Sequence, residues 1–348
     1  VSEVSRPDTS WRRILIFGLL FVGLTAAGLY IVYSSVAEQN FSLDPALFSP
    51  GLITACIALL LAYFAADGLR LHFALKALGH HIHFRVLFRL VFINIFFSNV
   101  TPMATGGGFA QVWYLRQHGV PVGVATAATT IRTVLAVMFI FSLTPVFLLT
   151  LAPLEKLSIG HSIGIALAVL ILLYLSFFAV VLFRTRWLIP PLSRLVAGLH
   201  RIHLISEDRE RHWQFKAKRE MLRFACSFGV YIRGPKHYVG LSVLFTFVFL
   251  LSLFSFPALL MAGLGYEVDY VLNVGLLVVT TFIMYFSPTP GASGISEGVF
   301  GVFFRGILTA NHLILVTVAW RFLTIYIGML IGLLLMQREL AGKAGGRE

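Results

Sequence analysis

Two short stretches decide how this chain folds. One is Ser98-Asn99-Val100-Thr101-Pro102-Met103-Ala104-Thr105-Gly106-Gly107-Gly108; the other is Ser287-Pro288-Thr289-Pro290-Gly291-Ala292-Ser293-Gly294-Ile295-Ser296-Glu297. Each closes an apolar run, from about Val86 to Val100 and from about Tyr270 to Ser287. Each opens a shorter, more polar helical stretch, Phe109 to Gln117 and Ile295 to Leu308. Proline removes a backbone donor and clashes with the preceding turn, and clustered glycine loosens the chain, so a helix breaks here. A membrane-spanning helix needs about 20 mostly apolar residues, and neither returning stretch supplies them. Each unit therefore reads as a re-entrant hairpin, over residues 86–119 and 270–309, in which one helix enters the membrane and a broken partner returns.

The rest of the chain fits that reading. Of its 348 residues, 58% are hydrophobic and 12% charged, against about 45–50% and about 25% in soluble domains. A water-soluble core cannot absorb such an excess, so the bilayer is the solvent. Spanning helices are predicted from about Trp11 to Val36, Gly51 to Lys76, Val122 to Leu151, Ile159 to Phe183, Val239 to Leu264 and His312 to Gln337. With the two entering helices this makes about eight membrane-crossing or membrane-entering helices in an all-α polytopic protein. The formal net charge of +12 does not point to nucleic acid, because basic residues of membrane proteins collect in cytoplasmic loops. The segment Arg184 to His237 carries twelve Lys and Arg and is predicted to be cytoplasmic, as are both termini, and to be partly amphipathic. The chain then divides into an N-terminal membrane half (1–183), a basic linker (184–237) and a C-terminal membrane half (238–348).

The two breakpoints also resemble each other. Thr101-Pro102-Met103-Ala104-Thr105-Gly106 aligns with Thr289-Pro290-Gly291-Ala292-Ser293-Gly294. Leu78-Gly79 aligns with Leu264-Gly265 and Arg132 with Arg321, all at offsets between 186 and 189 positions. Charge alone gives the two copies opposite orientations. Paired broken helices in inverted halves place a substrate site near the midplane, and unwound backbone is tolerated in a membrane only where protein buries it or a wet cavity meets it. The plain alternative, a packing kink, suits one such break better than two matched ones.

Candidate ligand groups cluster at these breaks. The amides of Gly106, Gly107 and Gly108 start a helix, whose N-terminus attracts anions; close helix packing through small residues is the competing account. Thr101, Pro102 and Thr105 on one side, and Thr289, Pro290, Gly291, Ser293 and Gly294 on the other, shape the two breaks. Ionisable groups inside spans are costly and usually functional. Arg132 and Arg321 are expected to pair with a phosphate or with Glu297, which itself would bind a cationic group, carry a proton or neutralise Arg321. Gln111 stands where the second hairpin has its acid. Asp67 and Arg70, three apart on one helix face, are an internal ion pair or a lipid contact. His80, His81 and His83 read as a head-group-facing turn more readily than a metal site. No nucleotide loop, dinucleotide fingerprint, metalloprotease helix or nucleophile elbow is present, and no cofactor is expected.

The Ser98–Pro102 segment with Gly106-Gly107, and the Pro288–Glu297 segment, resemble the two hallmark segments of the lysylphosphatidylglycerol synthase transmembrane family. The likeness runs from about Leu52 to Met336, with Ala292 standing where the family usually has a second glycine. That resemblance implies a bacterial inner-membrane flippase for an aminoacylated or anionic phospholipid of the phosphatidylglycerol type, with a role in resistance to antimicrobial peptides. It does not imply the synthase reaction, which belongs to a separate soluble domain of that family. Membrane lipids are then the partners; a homodimer and a separate lipid-modifying enzyme are compatible additions. Three rivals make different predictions: an ion-coupled transporter of a small solute, an intramembrane lipid-modifying transferase, and a non-transporting scaffold. On the flippase reading, loss of Arg321 or Glu297 is expected to cut transport while sparing the fold.

Overall fold

A computed structural model of the chain describes residues 42–151 and 228–344, with isolated positions 23, 169, 172, 173, 176 and 226. The spans expected at Trp11–Val36 and Ile159–Phe183, and most of the basic linker, lie outside these residues. The protein is an all-α polytopic membrane protein, and no strand occurs among the described residues. Nine helices are named here in chain order: α1 Pro50–Ala77, α2 Phe84–Val100, α3 Thr105–Gln117, α4 Val122–Thr150, α5 Lys236–Gly263, α6 Tyr270–Tyr285, α7 Ile295–Phe304, α8 Ala310–Arg321 and α9 Ile327–Ala344. Among the described residues, the stretches long and apolar enough to cross a membrane are Pro50–Ala77, Val122–Thr150, Lys236–Gly263 and the continuous Ala310–Glu339. The last is interrupted by a π-helical turn, Phe322–Tyr326, which the hydrophobic pattern of the sequence does not reveal. Such turns shift the register of one helix face against the other.

The two halves repeat element by element. Helices α1 and α5 both end on Leu-Gly, with Gly79 and Gly265 in the left-handed region at φ +80 and +82. The amide of His80 returns to the carbonyl of Leu75, and that of Tyr266 to Met261, the six-to-one bond of a glycine-terminated helix. Both breakpoints form one short 3-10 turn, Pro102–Ala104 and Pro290–Ala292. Each turn holds two consecutive residues at positive φ, Met103 and Ala104 in the first, Gly291 and Ala292 in the second. The sequence alignment at offset 188 therefore matches backbone conformation as well as residue type. The returning helix of the first unit starts at Thr105 rather than near Phe109, so the three glycines lie inside its first turn.

Packing ties one half to the other. Helix α1 lies along α5, α9 lies along α2, and the two breakpoint turns touch. A core of large side chains from both halves, including Phe64, Phe92, Phe256, Phe300 and Trp320, fills the space beneath them. In a bilayer, lipid tails are as apolar as leucine, so this association rests on close van der Waals packing and on buried polar contacts rather than on expulsion of water.

Candidate functional site

The first breakpoint is backed by a connected polar cluster. Asp67 on α1 is almost fully buried and accepts from two arginines. Arg70 donates from Nε to Asp67 Oδ1 at 2.6 Å. Arg132 of α4 donates from Nη2 to Oδ1 at 2.6 Å and to Oδ2 at 2.7 Å. Arg132 also donates from Nη1 to Gln111 Oε1 at 2.6 Å, and Gln111 passes the chain on through Nε2 to Asn94 Oδ1 at 2.6 Å. Ser98 donates to the same Asn94 oxygen. Four helices are thus joined by one network, and it holds two guanidiniums against one carboxylate. Arg70 Nη1 and Arg132 Nε are buried with no hydrogen-bond partner among the described residues. The Arg70 guanidinium also lies over the Phe249 ring, 3.7 Å from its centroid, a contact that favours a desolvated cation.

The charged pair of the second breakpoint is sealed from the cavity between the two breaks, with Arg321 Nη1 buried and without a hydrogen-bond partner among the described residues. Glu297 is fully buried and Arg321 is 1% exposed. Arg321 Nε approaches Glu297 Oε1 to 2.9 Å, although the N–H does not point along that line, and both atoms lack a hydrogen-bond partner by direction. The two form an ion pair without a directed hydrogen bond. Arg321 Nη2 donates to the carbonyl of Gly291 at 2.9 Å. The other carboxylate oxygen accepts from the Gly294 amide at 2.7 Å and from the Ser296 hydroxyl at 2.9 Å. Glu297 thus caps its own helix, so the positive end of α7 is answered by an internal acid.

A cavity of about 620 Å³ lies between the two breakpoints. Of the candidates named from the sequence, Arg70, Thr105, Gly108, Gln111, Arg132, Thr289 and Gly291 line it. Thr101, Pro102, Gly106, Gly107, Pro290, Ser293, Gly294, Glu297 and Arg321 do not reach its wall. Their places explain why. The Thr101 hydroxyl accepts from the Gly106 amide at 2.8 Å and so caps α3. A Cβ on Gly107 would meet Ser98 Oγ and Asn94 Oδ1, whereas one on Gly108 would meet nothing within 4 Å. Close packing thus accounts for Gly107, and only Gly108 of the three faces open space. Ser293 donates to the Pro290 carbonyl at 2.6 Å and is buried. Arg132 meets Asp67 and Gln111, not Glu297, and Asp67 with Arg70 forms the expected ion pair but within a larger cluster. Asn94, Ser98, Thr130, Thr133 and Tyr285 line the cavity as well. Asn94 carries a signal that sequence reasoning passed over: an amide in the middle of an apolar run.

The two breakpoints differ in exposure. Met103, Ala104, Thr105 and Gly108 are exposed and line the cavity, and Phe109 beside them is 74% exposed. Pro290, Ala292 and Ser293 are buried. The first break is the rim of the cavity and the second is its floor.

Comparison with known proteins agrees with this architecture. A membrane protein described as UPF0104, from Archaeoglobus fulgidus, is 22% identical over 281 residues, which is 81% of this chain and 84% of that protein. The family model for the lysylphosphatidylglycerol synthase transmembrane region matches residues 9–332. That match spans both breakpoints and both arginine clusters, and the chain belongs to this family.

Proposed function

We propose that the protein moves a lipid between leaflets, carrying the head group through the cavity between the two breakpoints while the acyl chains stay in the bilayer. The observation that carries this reading is the cavity itself. Its largely apolar wall carries a polar patch that includes Asn94, Gln111, Thr130 and Thr133, is backed by two buried arginines that share a single carboxylate, and is rimmed by exposed Met103, Thr105 and Gly108, with exposed Phe109 next in the chain. A soluble solute needs no apolar rim; a lipid needs a polar path for its head and a side opening for its chains. Guanidinium groups suit phosphate because their planar donors match its oxygens two at a time. On the inverted-repeat topology, the hairpins of residues 86–119 and 270–309 enter from opposite leaflets, with the termini and the 184–237 linker cytoplasmic in a bacterial inner membrane. Transport, not synthesis, is the activity of this membrane region.

The test is reconstitution into liposomes with chain-labelled lipids and measurement of their movement between leaflets. A Cβ at Gly108 meets nothing within 4 Å, so Gly108→Trp directs a bulky side chain from an uncrowded position at the rim and is expected to stop movement, with folded state checked by its thermal midpoint. Covalent conversion of the lipid, seen by mass spectrometry, would replace this reading with the transferase. Uptake of a soluble solute with no lipid movement would replace it with the small-solute transporter.

A further inference from the structure

A second cavity, of about 750 Å³, lies between the last turn of α1 and the segment that leads into α5. Among the described residues, none lines both this cavity and the one between the breakpoints. Packing holds its walls in place. A Cβ on Gly234 would clash with the Ala77 carbonyl, so the chain before α5 sits directly on the end of α1. Tyr231 and Ser242 share a buried hydrogen bond, and Phe228 and Tyr231 pack with Ala74, Ala77, Ile131 and Val134.

The charge in this cavity has one sign. Lys76, His81 and Arg233 line it, and no aspartate or glutamate among the described residues does. A lysine in the last turn of a helix, as Lys76 is, offsets the negative end of the helix dipole. That role accounts for one charge, and the end of α1 is already closed: the amides of Leu78, Gly79 and His80 bond the carbonyls of Ala74, Lys76 and Leu75. The Lys76 ammonium lies 5.3 Å from the centroid of the Tyr238 ring and 5.7 Å from that of Phe73, contacts that hold the cation at the wall. Neither Lys76 nor Arg233 forms an ion pair among the described residues. His81, from the histidine turn that the sequence places toward head groups, is exposed.

The rest of the wall suits a lipid. Leu78, Val230 and Tyr238 line it. Helical residues 228–233 bury Phe228 and Tyr231, while Val230 and Ile232 are 49% and 45% exposed. That division is the pattern of a helix lying at a bilayer interface. On the topology derived from charge, the cavity opens at the cytoplasmic ends of α1 and α5, where basic pockets between spans receive anionic head groups. A free phosphate gains nothing from the apolar wall; a phospholipid does.

We propose that this cavity is a second lipid site, separate from the path between the breakpoints. It holds the phosphate of an anionic phospholipid of the cytoplasmic leaflet on Lys76 and Arg233, with the glycerol and upper acyl chain along Leu78, Val230 and Tyr238. The test uses Cys226, which lines the cavity and is exposed, with buried Cys56 as an internal reference. Full-length protein in phosphatidylcholine nanodiscs, with rising fractions of phosphatidylglycerol, is reacted with N-ethylmaleimide, and modification of Cys226 is followed by peptide mass spectrometry. Phosphatidylglycerol is expected to slow the reaction severalfold and saturably, and inorganic phosphate added to pure phosphatidylcholine discs is expected to leave it unchanged. Lys76→Gln and Arg233→Gln are each expected to raise the half-saturating fraction about fivefold, the effect of one basic residue near an anionic surface. Arg233 is exposed and Lys76 half-buried, so both variants are expected to keep the thermal midpoint of the unmodified protein. Undiminished protection in both folded variants would mean that the anionic surface, not this cavity, slows the reaction, and would overturn the site. Equal protection by inorganic phosphate would keep an anion site and overturn its assignment to lipid. No protection by phosphatidylglycerol would overturn the proposal outright. None of these readouts involves movement between leaflets, so the outcome is independent of the translocation reading.

Discussion

The two breakpoints share a backbone and differ in everything hung on it. Both turn through proline and a pair of positive-φ residues, and both are followed one helix later by a buried arginine. At the second, Arg321 and Glu297 balance in charge and are sealed from the cavity. At the first, Arg70 and Arg132 share Asp67, and both arginines reach the cavity wall. One copy of the repeat pairs its charges away from the cavity, and the other sets its arginines in the cavity wall. Symmetry of fold therefore does not imply symmetry of chemistry, and variants can expose the difference.

The largest effect is expected from Asp67→Ala. It leaves two buried guanidiniums, which both donated to Asp67 Oδ1, with no carboxylate. Breaking a buried ion pair from one side costs about 3–5 kcal/mol, and here two cations repel as well. Folded yield and thermal midpoint in detergent are expected to fall further than for Glu297→Ala, in which Arg321 keeps the Gly291 carbonyl. A milder loss at Asp67 than at Glu297 would show that the first cluster is relieved by solvent in the cavity.

A sharper contrast comes from removing charge altogether. Replacing Glu297 and Arg321 together by leucine is expected to restore most of the folded yield and retain transport, because a buried pair exchanges for apolar packing at little net cost. Replacing Asp67, Arg70 and Arg132 together is expected to restore the fold and abolish lipid movement. The sequence alone suggested that single losses at Arg321 or Glu297 spare the fold. Their burial reverses that expectation, since each is the other's compensation.

The glycines divide in the same way at intermediate size. Gly107→Ala drives a methyl into Ser98 and Asn94 and disturbs the chain of bonds that orients Gln111 and Arg132. A cost of about 1–3 kcal/mol, usual for overpacking, is expected in the thermal midpoint, together with slower transport. Gly108→Ala, facing open space, is expected to leave the midpoint unchanged.

How much of this was legible in the sequence follows from the distances involved. The broken helices, the repeat and the long spans were readable because proline, glycine and apolar runs act locally. The glycines read as the opening of a helix, but the pattern bounds its body at Phe109, because nothing local in the sequence shows that the Thr101 hydroxyl accepts from the Gly106 amide and holds the turn from Thr105 onward. The pairing of Arg132 with Asp67 was not readable. The two are 65 positions apart, and one sequence offers no rule for choosing among Asp67, Glu297 and a ligand phosphate. Glu297 is open to three readings from the sequence, as a partner for a cationic ligand, for a proton or for Arg321, for the general reason that ionisable groups inside spans are usually functional. Its bond to its own helix N-terminus is a local capping pattern, and Gly294 to Glu297 has the right spacing to have suggested it.

The smallest predicted effect tests whether burial distinguishes the two turns. Ala104 and Ala292 hold corresponding positions, at φ 53 in each turn, where a non-glycine residue costs about 1–2 kcal/mol. Ala104 is exposed, so Ala104→Gly relieves the strain and loses no packing; a gain of about 1 kcal/mol is expected. Ala292 is 8% exposed, so Ala292→Gly relieves the same strain but forfeits a buried methyl worth about 0.8 kcal/mol. The exposed rim should therefore respond to glycine with a higher thermal midpoint and the buried floor should barely respond. The opposite order would mean that the second turn carries more strain than its packing offsets, and that the floor of the cavity, rather than its rim, is the part held under tension.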